Sequence, residues 1–154
     1  MSLVLAVGVL DGPHASGEAA PDGSKAPITI FELAEILEAK YALFSQFVDL
    51  EFDYIEDVLE TAMNNQIDAL MNSHPVPDDP WAEVGSALTK RFKLYLETEE
   101  IVKSGVPGVP TAAALAGKNS RLKTRKGMRR PSFIDTSVLY ASLKVWMEAN
   151  GNAT

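Results

Sequence analysis

Residues 47–72 repeat apolar side chains at intervals of three and four, and a proline-rich stretch then cuts the period off. Phe47, Ile55, Val58, Leu59, Ala62, Met63, Ile67, Leu70 and Met71 share one side of a helical wheel, with Leu50 or Glu51 completing the turn between the first two. Asp53, Glu56, Asp57, Glu60 and Asp68 take the remaining positions. That spacing predicts a long amphipathic helix with a stripe to bury. The segment His74-Pro75-Val76-Pro77-Asp78-Asp79-Pro80 cannot continue it, because each proline lacks an amide donor and biases its predecessor out of the helical region. Asp79 has the character of an N-cap and Pro80 that of a first helical residue. A second long helix is therefore expected to about Lys103, with Trp81, Val84, Leu88, Phe92, Tyr95 and Val102 as its stripe and Gly105 as its stop. Two long helices with so short a link should form an antiparallel hairpin in which each covers the other's apolar face.

The flanking segments are shorter and mixed in character. The run Leu3 to Leu10 predicts a buried strand closed by the turn Asp11-Gly12-Pro13. It falls well short of the ~20 apolar residues of a bilayer span, and without a preceding Lys or Arg it makes a poor signal peptide. Residues 11–27 hold Pro13, Pro21 and Pro27, show no periodicity and are expected to form a loop. Thr29 and Glu32 have the spacing of a capping box, starting a short helix to about Lys40 with Ile30, Leu33, Ala34 and Leu37 on one face. Thr111 is placed to cap a turn or two through Leu115, before Gly117 stops them. Near the end, Asp135 and Thr136 are both good caps for Val138 to Ser142, but from Leu143 the pattern alternates as in a strand. A helix continuing to Ala149 and a short helix followed by a strand both fit. Residues 150–154 are expected to fray. The sum is one α+β domain over residues 1–149, a small antiparallel sheet packed against two long antiparallel helices, with loops at 11–27 and 117–130.

Several chemistries drop out on composition. A chain of 154 residues with 46% apolar side chains buries roughly 70% of its unfolded surface, enough for one core without a staple. It has no cysteine, so disulfides, thiol catalysis and thiolate metal sites are excluded together. His14 and His74 both lie beside prolines rather than on a regular element, and no Glu-x-x-His pair sits on either long helix. Nucleophile elbow, phosphate-binding loop and dinucleotide fingerprint are all missing. Glu32, Glu35 and Glu38, and likewise Asp53, Glu56, Asp57 and Glu60, read as solvated helix faces. No catalytic, cofactor-binding or metal-ligating set is expected, and the chain does not read as an enzyme.

Charge is unevenly spread, which matters because binding surfaces respond to local field. Residues 1–100 carry 19 acidic and 5 basic side chains, whereas residues 101–154 carry 2 acidic and 9 basic. Lys118, Arg121, Lys123, Arg125, Lys126, Arg129 and Arg130 crowd into thirteen positions. These seven are the candidate partner-binding residues. They suit an acidic protein surface, on this chain or on another copy; the alternatives are a nucleic-acid-binding module whose loop 118–130 meets phosphate, and a merely solvated loop. Lacking interleaved aromatic residues, they do not suit base stacking.

Residues 127–143, Gly-Met-Arg-Arg-Pro-Ser-Phe-Ile-Asp-Thr-Ser-Val-Leu-Tyr-Ala-Ser-Leu, resemble a signature of small neck, tail-completion and minor tail proteins of tailed bacteriophages and prophages, Pro-x-x-Ile-Asp-Thr-Gly-x-Leu-x-x-Ser-hydrophobic. Leu5 to Leu10, and the run Leu33-Ala34-Glu35-Ile36-Leu37-Glu38 after the loop, resemble the opening strand and helix of some of these proteins. Ser137 stands where the signature has glycine. The resemblance implies a non-enzymatic virion component that assembles with copies of itself and with other virion proteins, in the particle or the host cytoplasm, with no membrane, cofactor or small-molecule substrate. Read physically, Pro131 fixes an extended entry, Phe133 and Ile134 anchor it, and Asp135 or Thr136 caps the turn that points Leu139 inward.

Overall fold

A computed structural model describes residues 2–10, 28–117, 127–134 and 137–150. The expected loop 11–27, residues 118–126 of the expected loop 117–130, and residues 1, 135–136 and 151–154 lie outside the described residues.

The described order is strand β1 (Ser2–Val9), helices α1 (Ile30–Tyr41), α2 (Leu43–Leu50), α3 (Phe52–Met71) and α4 (Ala82–Glu97), a 3-10 helix (Glu100–Ser104), short helices α5 (Ala112–Leu115) and α6 (Val138–Ser142), and strand β2 (Leu143–Asn150). The chain is α+β, as its patterning predicts. Its two strands pair antiparallel over their full length, from Ser2 opposite Asn150 to Val9 opposite Leu143. The alternation from Leu143 is thus a strand following a short helix. Asn150, expected to fray, closes the ladder opposite Ser2.

Helix α4 is the spine. Val84, Leu88, Phe92, Tyr95 and Leu96 are all buried on one face, against Leu143 and Val145 of β2 and against Leu43 and Phe47 of α2. Phe47 stacks on Phe92 at 4.3 Å, while Phe44 and Tyr95 approach these rings edge-on. Gly85 lets the helix lie directly on β2, since a Cβ there would come within 2.7 Å of the Val145 carbonyl oxygen. Four residues on, the Thr89 hydroxyl accepts the Val145 amide at 2.9 Å. Helix and hydroxyl together cover the outer edge of β2, an edge that would otherwise invite pairing.

Several further expectations need correction. The period through residues 47–72 is two helices meeting at Glu51, whose carboxylate takes two bonds from Arg91 of α4, at 2.7 and 2.5 Å. The second long helix starts at Ala82, with Asp79 one turn back accepting the Trp81 amide at 3.1 Å, and ends at Glu97 because Glu99 turns left-handed (φ 53°) before the 3-10 helix. The strand β1 was expected to be buried, yet none of Leu3 to Val9 is. In a two-stranded sheet only one face meets the core, and among the described residues β1 has no second strand neighbour.

The hairpin of α3 and α4 is antiparallel, with Glu51 beside Arg91 at one end and Ala62, Gln66 and Ala69 beside Pro80 and Glu83 at the other. It does not cover both stripes. Ile55 is the one buried residue of α3, and Phe52, Met63, Ile67, Leu70 and Met71 are exposed. Helix α1 starts as expected, with the Thr29–Glu32 capping box closed in both directions at 2.9 and 3.1 Å. Glu38, read from the sequence as solvated, instead caps α2: its carboxylate accepts the Phe44 amide at 2.7 Å and the Ser45 hydroxyl.

Candidate partner interface

The described part of the basic region is anchored on this chain. Glu99, swung out by its left-handed backbone, accepts Arg129 at 2.5 Å and the Ser132 amide and hydroxyl at 3.1 and 3.2 Å. Ser132, almost wholly buried, in turn accepts the Thr111 amide at 3.1 Å, and Thr111 caps α5 through the Ala114 amide as its sequence position predicts. Arg130 donates to the Ile134 carbonyl at 3.1 Å. Two of the seven candidate cations, Arg129 and Arg130, are therefore tied to their own chain. Lys118, Arg121, Lys123, Arg125 and Lys126 lie outside the described residues.

The flanks of those five meet at a closed base. A Cβ on Gly117 (φ 60°) would overlap the carbonyls of Gly127 and Met128, and one on Gly127 would lie 2.9 Å from the Gly117 oxygen. The Gly127 and Arg130 amides reach back to the Ala116 and Ala114 carbonyls at 3.4 and 3.2 Å. Only glycine permits so close a pass at both positions.

The described residues of the Pro131 motif lie against the body of the fold. Phe133 meets Tyr41 edge-on at 5.1 Å, Ile134 joins the core margin and Leu139 is buried. Asp135 and Thr136, the expected caps, lie outside the described residues. The N-cap of α6 is Ser137, with no side-chain cap bond and a left-handed backbone (φ 59°, ψ −6°). That conformation is the one glycine adopts without penalty.

Opposite in sign is α3. Asp53, Glu56, Asp57, Glu60 and Asp68 are all exposed, the helix has no Lys or Arg, and none of its carboxylates forms an ion pair among the described residues. Between them Phe52, Leu59, Met63 and Ile67 line a shallow depression of about 420 Å³.

A third surface escaped the sequence reading. A groove of about 830 Å³ runs between α4 and β2, lined by Trp81, Ser86, Lys90, Lys93, Lys144 and Trp146 among others. Lys93 also sits 5.2 Å over the Tyr140 ring. The signal for it in the sequence is slight: lysines three apart on the polar side of α4, and one lysine on a strand 51 residues away.

The carboxylate with strongly altered chemistry, Glu100, is structural. Arg91 forks onto both Glu51 and Glu100, and its bonds, with one from Thr98, hold Glu100 down at about 2 against burial. Burial, reinforced by Glu100 and Glu51, pushes the Tyr95 phenol above its ordinary range. Among the described residues no three His, Cys, Asp or Glu gather as metal ligands would, and no helix is long and apolar enough to cross a membrane. No protein-family model, curated protein or solved structure matches the chain.

Proposed function

We propose that this protein is a non-enzymatic structural component of a tailed-phage or prophage virion, at the neck or tail, which works by joining copies of itself into a ring. The observation that carries the reading is the outer face of α3, an apolar stripe left exposed and bordered by carboxylates with no cation among them. Contiguous exposed apolar surface with a charged rim marks a surface meant for a partner. The cations of segment 118–126 supply the opposite charge on the next copy, and a contact between two different surfaces of one chain closes into a ring when its rotation allows. Charge matching of this kind sets register and speeds encounter.

The virion assignment draws on the Pro131–Leu143 resemblance. Ser137 holds a glycine-like backbone at the one place where the signature has glycine and this chain does not, so the backbone follows the pattern that the side chain breaks.

Mass in solution tests the assembly, measured by light scattering over a range of protein concentration and salt. Assemblies larger than a dimer, weakened by salt and by changing Arg121, Lys123 and Arg125 together to Ser, are the expected result. A chain that stays monomeric at every concentration and salt overturns it.

A further inference from the structure

We infer that the groove between α4 and β2 is the seat for α3 of a second copy. The inference builds on the self-assembly reading and names the surface that buries the apolar part of α3. Segment 118–126 offers only Leu122 as a large apolar side chain, so its cations can meet carboxylates but cannot cover Phe52, Leu59, Met63 and Ile67. The groove can. Its floor is apolar, with Trp81, Val145, Trp146 and Met147, and both tryptophans of the chain stand in it. Its walls carry Lys90, Lys93 and Lys144, none with a carboxylate within ion-pair distance among the described residues. Asp78 and Asp79 lie at the end where α4 begins, and Asp79 is engaged by the Trp81 amide.

Shape and charge agree. The α3 stripe runs about 22 Å from Phe52 to Ile67 at the rise of a helix, along the exposed side of a rod that a groove can receive, with Glu56 and Glu60 beside it. The groove is concave and flanked by lysines. An apolar centre with aromatic anchors inside a charged rim is how protein interfaces are organised. A second α3 is a poor occupant of this place against the first α3, since Glu56 and Glu60 beside each stripe would meet carboxylates and no cation. Because helix and groove lie on different surfaces of one chain, each copy that offers one still presents the other, and the contact propagates.

A charge exchange tests the pairing. One variant carries Glu56→Lys and Glu60→Lys; the other carries Lys90→Glu and Lys93→Glu. Glu56, Glu60 and Lys90 are exposed and Lys93 is half-buried beside Tyr140, and circular dichroism verifies that both variants keep the fold. Each variant alone is expected to run at the mass of one chain at concentrations where the wild type assembles. Their equimolar mixture is expected to regain assembly, because the reversed helix then meets a reversed groove and the unaltered helix an unaltered groove. Variants that assemble like the wild type, or a mixture that stays at single-chain mass, overturn the inference. If the groove variant assembles normally while the Arg121, Lys123 and Arg125 variant does not, the groove is wrong and self-assembly stands. If the wild type never assembles, both fall.

Discussion

Helices α3 and α4 carry similar amphipathic patterns and lie side by side, yet α4 buries Val84, Leu88, Phe92, Tyr95 and Leu96 while α3 buries Ile55 alone. The difference comes from position. Helix α4 is covered by the sheet and by α2, whereas α3 is the outer member of its hairpin, touching α4 and the end of α2 on one side only. An apolar stripe therefore identifies a face that needs a partner, and the fold decides whether that partner lies within the chain.

Substitutions on the two helices should separate these roles. Phe92→Ala removes the ring at the centre of the aromatic cluster and is expected to cost about 3–5 kcal/mol, read by chemical denaturation. Next in size is Arg91→Met, which strands two carboxylates already withdrawn from water; roughly 3 kcal/mol is expected, the low end for a buried pair, since the guanidinium keeps a fifth of its surface in solvent. Gly85→Ala would improve helix propensity anywhere exposed, but here its methyl meets the Val145 carbonyl, and a net loss of roughly 1–3 kcal/mol should appear as a lower denaturation midpoint.

Acid titration gives a smaller effect with a definite sign. Glu100 is held at about 2, below the usual 4.5, first by its bonds from Arg91. The ionised form is the one the fold prefers, so its contribution is complete above pH 4.5 and is lost as pH falls toward 2. Glu100→Gln should flatten the fall of stability across that window. Smallest of all is Met63→Ala on the outer face of α3, expected to change stability by less than about 0.5 kcal/mol. A loss comparable to that of Phe92→Ala would show the outer face to be part of the core and would erase the comparison.

Local features were legible from the chain itself. Thr29 with Glu32, Thr111 ahead of Ala114, the prolines of residues 75–80 and the alternation after Leu143 each act within a few residues, so spacing alone carries them. The breaks at Glu51 and Glu99 were not legible, because neither is made by a proline or glycine. Arg91 holds the Glu51 side chain across 40 positions, and Ser132 and Arg129 engage Glu99 across 33 and 30. The exposure of β1 escaped for a similar reason: apolar residues reveal that a strand could be buried, while the number of strands in the sheet determines whether it is. Of the candidate interface, the acidic side of α3 was visible as periodicity and the basic run as composition. The groove needed Lys144 to be carried beside Lys90 and Lys93 by the docking of β2 on α4.

The paired glycines at 117 and 127 have a consequence for how such a protein can change over time. With both flanks fastened at one backbone contact, and Glu99, Ser132 and Thr111 bolting that contact to the spine, the nine intervening residues form a replaceable cartridge. On the assembly proposed above, a change in their length or charge would readdress the molecule to a different neighbour while the framework at either side of them stays the same.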